Sequence, residues 1–375
     1  MLAGMANDTP FDPCASAEVA ACVRALAGDG RPLVTLVHPS DEMYRFELDA
    51  PMRTPETAAV RYFSTARSIF RAVSDVVAWR FGDFGRVRAF LDFASGYGRA
   101  TRFFARVIDP GRMTVAEIDP GAVRFQKDTF GVRGVVSGTD PDSLSLSGSF
   151  DMVLAVSFFS HLPAQRFETW LAKLSSLVAG GGILVFSTHG PELLPEGETM
   201  PHSGLLFRPE SETTRLEGSE YGTSWVTADY VRSAAARASG QASRLWAFPR
   251  GLCGYQDLFV LATPPLPANA DFRLARDPVG ALEFATIEGG VVAARGWAAG
   301  DRDERPPDVK LYLGEKLEMV SPGEGPPGAR RDWSFTFPVA GVPPDAIVRI
   351  EAESPRGVSR LFVAETLRPY LPRGA

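Results

Sequence analysis

The sequence has little of what disulfide-rich, metal-binding and membrane-spanning proteins depend on. Its 375 residues include three cysteines, Cys14, Cys22 and Cys253. This odd number without a CxxC spacing indicates neither a disulfide framework nor a zinc knuckle. No apolar run approaches the roughly 20 residues of a membrane span, and the amino-terminal segment lacks the basic region of a signal peptide. We therefore predict a cytoplasmic protein without a membrane partner.

An excess of positive charge is also missing. The 39 Lys and Arg residues are outnumbered by 45 Asp and Glu, which gives a net charge of −6 and argues against electrostatic binding of nucleic acid. Histidine is scarce as well, with four residues, and no cluster of His, Cys and Asp has the spacing of a metal site. What the sequence does have is ordinary globular composition, 45% hydrophobic and 22% charged, at a length that suits two or three domains.

Apolar patterning divides the chain into three predicted domains. In residues 1–86, Thr54 and Pro55 precede apolar residues at helical spacing, which predicts a long helix within a helical N-terminal cap. In residues 87–264, short apolar runs alternate with amphipathic stretches, as in a parallel α/β sheet. A proline-rich linker leads to residues 270–375, whose short alternating runs predict an antiparallel β-sandwich.

The predicted elements follow from the same periodicities. Strands are predicted in the middle domain at Ala89–Phe93, Met113–Ile118, Gly134–Ser137, Phe150–Val156, Gly182–Ser187 and Asp257–Ala262, and near the N-terminus at Leu33–Val37. Helices are predicted at Ala100–Val107, Pro120–Thr129, Pro163–Leu177 and Thr227–Ser239. The long polar section between His189 and Tyr221 is typical of a lid or a disordered loop.

A strand that runs directly into a glycine-containing turn is the most informative stretch. Phe90–Phe93 is apolar apart from Asp92, and Gly96 and Gly98 follow before the next helix. Glycines allow a ligand to approach the backbone closely or the backbone to adopt positive φ, and the helix N-terminus presents amide donors. Alone, such a turn is weak evidence of a ligand site.

Acidic residues at the ends of the next two strands add weight. An acid at the position of Glu117 can accept hydrogen bonds from both hydroxyls of a ribose. The alternative is that it caps the following helix, a role equally open to Asp119. Asp140 follows the third strand, although Asp140-Pro141-Asp142 is also good turn chemistry. Because ligands of open α/β sheets bind at the carboxyl ends of the strands, these acids predict a nucleoside site.

The ordered motifs resemble class I S-adenosylmethionine-dependent methyltransferases. Asp92-Phe-Ala-Ser-Gly-Tyr-Gly98 is similar to the first motif of that family, Ser149–His161 to its fourth-strand motif, and Gly180–Ser187 to the turn and strand that follow. The resemblance implies a Rossmann-like α/β sheet in the middle domain and S-adenosyl-L-methionine as the cofactor. It implies that the cofactor is held by residues of these strand ends and turns, namely Asp92, Ala94, Gly96, Gly98, Glu117, Asp119, Asp140 and Ser157.

Some residues depart from the family pattern or extend it. Ala94 stands where the family has its first glycine, which is harmless only if its φ is negative. An upstream Tyr62-Phe-Ser, together with the Gly-Tyr-Gly-Arg turn, resembles a bacterial subgroup associated with glycan and secondary-metabolite modification. In that subgroup the upstream tyrosine lies over the cofactor, so Tyr62 is a candidate cofactor contact, or else plain helix surface. Arg102 is expected to be solvated.

Two histidines are candidates for the catalytic base. His161 follows the fourth strand and His189 follows the fifth, at the edge where the cofactor should lie, and a hydroxyl acceptor benefits from a base. We favour His189 slightly, since His161 could instead orient the next helix. Two polar-aromatic clusters, Tyr221–Trp225 and Gly254–Asp257, flank the last predicted helix and strand. We assign them no catalytic role and favour strand-edge hydrogen bonding and core packing.

The C-terminal domain resembles small β-sandwich modules attached to bacterial glycan-modifying proteins. Trp297 and Trp333 are predicted to be core residues of this sandwich, and a homo-oligomer contact is an alternative role for the domain. The acceptor is therefore predicted to be an oxygen of a carbohydrate or glycosylated small molecule. Two rival hypotheses remain: a non-catalytic scaffold protein, and an NAD-dependent oxidoreductase, which Thr101 disfavours because the dinucleotide fingerprint wants a small residue there.

Overall fold

The structure is a computed structural model of the chain. It describes residues 8–27, 30–50, 53–146, 149–210, 216–239, 242–266, 272–274, 278–300, 305–313, 316–338, 340, 347–353 and 359–366. One compact unit is formed by Ile69–Leu274, and residues 1–68 together with 275–375 form the other. The domain boundaries given above stay predictions. Within the described residues, no helix has both the length and the apolar character that crossing a membrane requires.

The described part of the N-terminal region contains three helices. They are α1 (Ala17–Ala27), α2 (Glu42–Asp49) and α3 (Pro55–Phe81). The α3 helix begins as its sequence predicts, because the Thr54 side chain accepts a hydrogen bond from the Thr57 amide at 3.3 Å and proline suits the first helical position.

The predicted strand at Leu33–Val37 is wrong. This segment forms only an isolated bridge, in which Phe11 and Val37 exchange backbone hydrogen bonds of 3.0 and 2.8 Å. The two residues lie in otherwise irregular chain, so apolar character alone did not make a strand.

A seven-stranded sheet forms the middle of the chain. Its strands are β1 (Phe90–Phe93), β2 (Met113–Glu117), β3 (Arg133–Val136), β4 (Phe150–Ala155), β5 (Val178–Thr188), β8 (Arg244–Leu252) and β9 (Gln256–Ala262). The helices between them are α4 (Thr101–Phe104), α5 (Pro120–Phe130), α6 (Ala164–Ser176) and α7 (Ala228–Ser239). The first five strands are parallel, whereas β9 runs antiparallel to both β5 and β8. This confirms the predicted α/β, Rossmann-like sheet.

The strand order places a binding crevice. The order β3-β2-β1-β4-β5-β9-β8 reverses direction between β1 and β4. In open α/β sheets, ligands bind outside the carboxyl ends of the strands at such a switch point. Both β1 and β2 are buried along their whole length, because helices cover both faces of a parallel sheet. The turn after β1 and the residues after β4 therefore border the crevice.

The long polar section after β5 contains an ordered hairpin in its described part. Its strands are β6 (Leu205–Arg208) and β7 (Thr223–Val226). Backbone hydrogen bonds attach β7 to the carboxyl edge of the sheet: the Ser224 amide donates to the Ser160 carbonyl at 2.7 Å, and the Val226 amide donates to the His189 carbonyl at 2.9 Å. The hairpin thus covers the ends of β4 and β5.

The residues of the C-terminal region that the structure describes form two antiparallel sheets. The first is β10 (Val279–Glu288), β11 (Val291–Ala299) and β14 (Arg330–Pro338); the second is β12 (Asp308–Leu313), β13 (Lys316–Ser321), β15 (Ile347–Glu353) and β16 (Ser359–Thr366). Buried residues of both sheets form one core, which includes Leu311, Trp333 and Ile350. Trp333 is a core residue, as predicted.

The same prediction is wrong for Trp297. Along β11, burial alternates, so that Val292, Ala294 and Ala298 are buried and Trp297 lies on the opposite face. There the guanidinium of Arg330 lies 4.7 Å from the centre of the Trp297 ring. This stacking accommodates a large aromatic side chain outside the core.

Candidate functional site

The turn after β1 carries three residues with positive φ. The values are +53° for Ala94, +55° for Gly96 and +77° for Gly98. A Cβ added to Gly98 would lie 2.5 Å from the Phe130 ring and 2.8 Å from Gln126 Oε1, whereas one added to Gly96 would meet nothing within 4 Å. Gly98 is therefore required by packing against α5, and Gly96 leaves open space beside the backbone.

Ala94 does not have the negative φ that would make it a harmless replacement for glycine. Its φ of +53° lies in the left-handed region, which costs a residue with a Cβ roughly 1–2 kcal/mol. The Ala94 amide donates to the Ala116 carbonyl at 2.8 Å, continuing the pairing of β1 with β2. The sheet thus holds the turn in a conformation that glycine would adopt without strain.

Gln126 secures the turn from α5. Its side-chain nitrogen donates at 2.8 Å to both Ser95 Oγ and the Gly96 carbonyl, and its Oε1 lies 2.9 Å from Thr101 Oγ1. The Gln126 side chain is fully buried, so these bonds are shielded from water. Contacts of the Gln126 side chain therefore fix the turn without the help of a ligand.

Asp92, the penultimate residue of β1, carries a buried carboxyl group. The Thr101 hydroxyl donates to its Oδ2 at 2.7 Å. Burial raises the pKa of Asp92 to about 7, the Thr101 hydrogen bond opposes that rise, and the nearby Glu117 adds to it. At neutral pH this group is poised between its neutral and charged forms, and a cation bound beside it would favour the charge.

Glu117 ends β2 and faces the glycine turn. Its Oε2 accepts from the Gly96 amide at 2.8 Å, and its Oε1 accepts from the Ile118 amide at 2.7 Å and the Asp119 amide at 3.4 Å. Burial raises its pKa, and these three hydrogen bonds oppose the rise. Glu117 thus joins the ends of two strands and brings a second carboxylate to the space beside Gly96.

The other two acids have capping roles. Asp119 caps α5 by accepting from the Gly121 amide at 2.8 Å, and its other oxygen accepts from the Tyr97 hydroxyl at 2.8 Å. Asp140 is exposed and accepts from the Asp142 amide at 3.1 Å in a short 3₁₀ turn. These are the alternatives anticipated from the sequence, and cofactor contacts by either residue stay predictions.

Arg102 is not solvated as expected. Its side chain is buried on α4, its Nε donates to the Gly98 carbonyl at 3.2 Å, and its guanidinium lies 5.3 Å from the centre of the Phe130 ring. Arg102 therefore stabilises the glycine turn through its hydrogen bond to the Gly98 carbonyl.

The two histidines lie side by side at the carboxyl edge. Their ring centres are 6.1 Å apart. His161 Nδ1 lies 2.8 Å from the Gly222 carbonyl, and since a carbonyl only accepts, Nδ1 carries the proton and Nε2 carries the lone pair. The Tyr221 ring stacks on His161 at 4.7 Å with an angle of 16° between the planes. The hairpin thereby fixes the orientation of His161.

His189 differs from His161 in its surroundings. Its Nε2 lies 3.3 Å from Gln256 Nε2, and the Tyr255 ring meets it edge-on at 5.8 Å. Burial lowers the pKa of His189 to about 4, and the neighbouring His161 contributes to the lowering. His189 is therefore neutral at physiological pH.

Ser157 lies in the same network, just beyond β4. Its φ is +56°, its amide donates to Ser187 Oγ at 2.8 Å, and its hydroxyl donates to Gln256 Oε1 at 3.1 Å. The Ser187 hydroxyl also donates to Gln256 Oε1, at 2.7 Å. The structure thus joins two of the predicted residues, Ser157 and His189, through Gln256, a member of the Gly254–Asp257 cluster.

Comparison with known families finds a match for the parallel part of the sheet. Residues 91–184 match the family model described as a methyltransferase domain. These residues are a methyltransferase domain. The matched segment runs from β1 into β5 and includes the glycine turn, Glu117 and His161.

Solved structures similar to the chain include three neighbours of low identity. "PigF with SAH" is 19% identical, with 66% of this chain and 68% of that chain covered and a TM-score of 0.38. N-methyltransferase NodS from Bradyrhizobium japonicum with S-adenosylhomocysteine is 12% identical, with 60% and 100% covered and a TM-score of 0.35. Magnesium protoporphyrin IX methyltransferase from Synechocystis is 14% identical, with 59% and 93% covered and a TM-score of 0.37. A comparison with curated protein sequences finds no match.

Sequence reasoning assigned no role to two buried glutamines at the site. Gln126 was detectable, because it interrupts the apolar stripe formed by Ala122 and Phe130 on α5. Gln256 belongs to the Gly254–Asp257 cluster, and it begins a strand that was predicted to start at Asp257. Among the residues that the structure describes, no group of His, Cys, Asp and Glu is arranged to hold a metal ion.

Tyr62 belongs to the other compact unit. It is fully buried, which excludes the helix-surface alternative, and its hydroxyl donates to Asp41 Oδ2 at 2.6 Å. The Tyr44 ring packs edge-on against it at 5.5 Å. A cofactor contact by Tyr62 stays a prediction.

Proposed function

We propose that the protein is an S-adenosyl-L-methionine-dependent methyltransferase that methylates an oxygen of a carbohydrate or a glycosylated small molecule. The observation that carries the proposal is a pair of buried carboxyl groups near the ends of β1 and β2, Asp92 and Glu117. Glu117 accepts from the Gly96 amide, where the turn leaves open space. The match of residues 91–184 to a methyltransferase domain supports it.

The residues at the turn suit this cofactor chemically. Asp92 would bind the ammonium group of the methionine part, Glu117 the ribose hydroxyls and Asp140 the adenine edge. The cofactor's positive charge complements two carboxyl groups whose pKa values are raised by burial, since a nearby cation favours their charged forms. When bound, the cofactor supplies an electrophilic methyl group on a sulfonium sulfur. The rest of the work is positioning an acceptor and removing its proton.

His161 is the better candidate for the base. Its Nδ1–H donates to the Gly222 carbonyl, so the lone pair is on Nε2, and Tyr221 holds the ring in place. His189 has its pKa lowered to about 4, which makes it a weak base. The geometry thus reverses the slight preference for His189 drawn from the sequence.

The acceptor class rests on two features. Tyr255, which is 53% exposed, offers an aromatic surface beside His189, the neighbour of the proposed base, and sugar rings stack on surfaces of this kind. The sequence around Trp297 and Trp333 resembles β-sandwich modules attached to glycan-modifying proteins. Oxygen is favoured as the acceptor atom because a hydroxyl needs a base and His161 provides one.

Calorimetric titration tests the cofactor. S-adenosyl-L-methionine and NAD are titrated separately into the full chain, into Glu117→Ala, and into the control Asp109→Ala, which removes another capping acid that accepts from the Gly111 amide. We expect micromolar binding of S-adenosyl-L-methionine that Glu117→Ala loses and Asp109→Ala keeps. Binding of NAD alone would favour an oxidoreductase, and binding of neither would favour a scaffold protein.

Turnover then tests the reaction. Release of S-adenosylhomocysteine is measured with a panel of sugars and glycosides as acceptors. His161→Ala should lose about 10²–10⁴ in kcat while cofactor affinity stays within a few-fold. Full turnover by His161→Ala would remove this residue from the mechanism.

A further inference from the structure

Gln256 has a buried side-chain amide that contacts Ser157, Ser187 and His189 at the carboxyl edge of the sheet. It begins β9 with 8% of its surface exposed. Its Oε1 accepts from Ser187 at the end of β5 and from Ser157 beyond β4, at 2.7 and 3.1 Å. Nothing in the proposed reaction requires it to touch the cofactor or the acceptor.

The two serines fix which way the amide points. The Ser157 amide donates to Ser187 Oγ at 2.8 Å, so the Ser187 oxygen already accepts one hydrogen bond and uses its own proton to donate to Gln256. With both hydroxyls donating to Oε1, the amide nitrogen is directed away from them. Ser157 keeps a φ of +56°, a strained conformation that these hydrogen bonds hold in place.

The amide nitrogen faces His189. Gln256 Nε2 lies 3.3 Å from His189 Nε2, and because an amide nitrogen only donates, His189 Nε2 must be the acceptor. His189 is therefore neutral, with its proton on Nδ1. Protonation of Nε2 would place two donors against each other.

Other groups around His189 share the space. His161 is 6.1 Å away between ring centres, and Tyr255 approaches edge-on. The Asp257 carboxylate lies close to Gly190 and accepts from the Arg250 amide at 2.7 Å. A charged His189 would oppose the uptake of a proton by His161, since like charges at this distance disfavour each other.

We propose that Gln256 is a positioning residue that holds His189 neutral with its proton on Nδ1, so that His161 alone takes up the acceptor's proton. The second half rests on the proposed function, whereas the state of His189 does not. Gln256 acts through His189 and is not itself a catalytic residue.

Nitrogen NMR of the histidine rings in the full chain tests the first half without any turnover. Gln256→Glu replaces the donor with a carboxylate, and Gln165→Glu makes the same change at an exposed position of α6. We expect wild type to show His189 protonated on Nδ1. In Gln256→Glu the pKa of His189 should rise by about 1–3, and in Gln165→Glu it should not change.

The pH dependence of kcat tests the second half. In Gln256→Glu, His189 carries a charge up to a higher pH, so the acid limb of the kcat profile should move upward while KM changes little. Gln256→Met, which removes the donor without adding charge, provides a second variant if the first fails to fold, and it should lose the single Nδ1–H form of His189. His189 protonated on Nε2 in wild type would overturn the whole proposal, whether or not the chain methylates. A shifted NMR titration with an unchanged acid limb would overturn the catalytic half.

Discussion

The Asp92 carboxylate would stabilise a bound cation, but its burial lowers the stability of the folded protein when no ligand is bound. Its pKa in the folded protein, about 7, lies above the ordinary value of 3.8 because the carboxyl group is buried. An acid whose pKa is raised by folding binds more protons when folded, so its contribution to stability is present below pH 4 and is lost as pH rises to 7. The total loss is about 4 kcal/mol at most.

Asp92→Asn should therefore stabilise the ligand-free protein at high pH. We expect the free energy of unfolding of the variant to match wild type near pH 4 and to exceed it progressively up to pH 8, as measured by urea unfolding. Affinity for S-adenosyl-L-methionine should fall roughly 10–100-fold, the loss of a charge-assisted hydrogen bond. A difference in unfolding free energy that is the same at every pH would show that Asp92 is not protonated on folding.

Gly96 and Gly98 make a matched pair at the residue scale. Both have positive φ, so alanine at either position costs roughly 1–2 kcal/mol in backbone strain. At Gly98 the new Cβ also meets Phe130 and Gln126, which adds about 1–3 kcal/mol from overpacking. At Gly96 the Cβ enters open space where the cofactor is proposed to lie.

The two alanine variants should separate folding from binding. Chemical unfolding should show a loss of about 2–5 kcal/mol for Gly98→Ala and about 1–2 kcal/mol for Gly96→Ala. Calorimetric titration should show Gly96→Ala losing cofactor affinity although it folds. If Gly96→Ala bound S-adenosyl-L-methionine as wild type does, the ligand would not approach this backbone.

At the scale of elements, the periodicity of apolar residues predicted the strands whose sequences are short apolar runs. The core strands of the sheet were predicted to within a few residues, because β1, β2 and β4 are short apolar runs between turns. The missed strands lack this signal. In β8, Arg244, Pro249 and Arg250 interrupt the apolar residues, and β6 and β7 have four residues each, too few for a period to appear.

In the candidate site too, residues with a local sequence signal were predicted, and residues that act through long-range contacts were not. Residues adjacent to strand ends, such as Asp92, Glu117 and the two histidines, were found because the topology of a parallel sheet brings strand ends to one edge. Gln126, Gln256 and Tyr221 act over separations of 25 to 99 residues, and no local pattern encodes such contacts. The φ of Ala94 was not predictable either, since the sheet and Gln126 impose it.

At the scale of the whole molecule, the chain has a separate hydrophobic core in each of two regions. Leu184, Phe186 and Phe259 belong to the core of the central sheet, and Trp333 and Phe335 belong to the core of the C-terminal sheets. The division into compact units places these cores in different units. Two cores without shared residues can lose their packing at different temperatures.

Differential scanning calorimetry should accordingly show two transitions that respond to different changes. Phe186→Ala and Phe335→Ala are matched core truncations, each expected to cost about 3–5 kcal/mol, and each should lower one transition by several degrees while leaving the other in place. S-adenosyl-L-methionine at 100 times its dissociation constant adds about 2.7 kcal/mol to the state that binds it. It should raise only the transition that Phe186→Ala lowers, because the proposed ligands Asp92 and Glu117 lie in that unit, and NAD should raise neither. A single transition shifted by both variants would instead show that the chain unfolds as one cooperative body, and the cofactor would then stabilise the C-terminal sheets together with the methyltransferase domain.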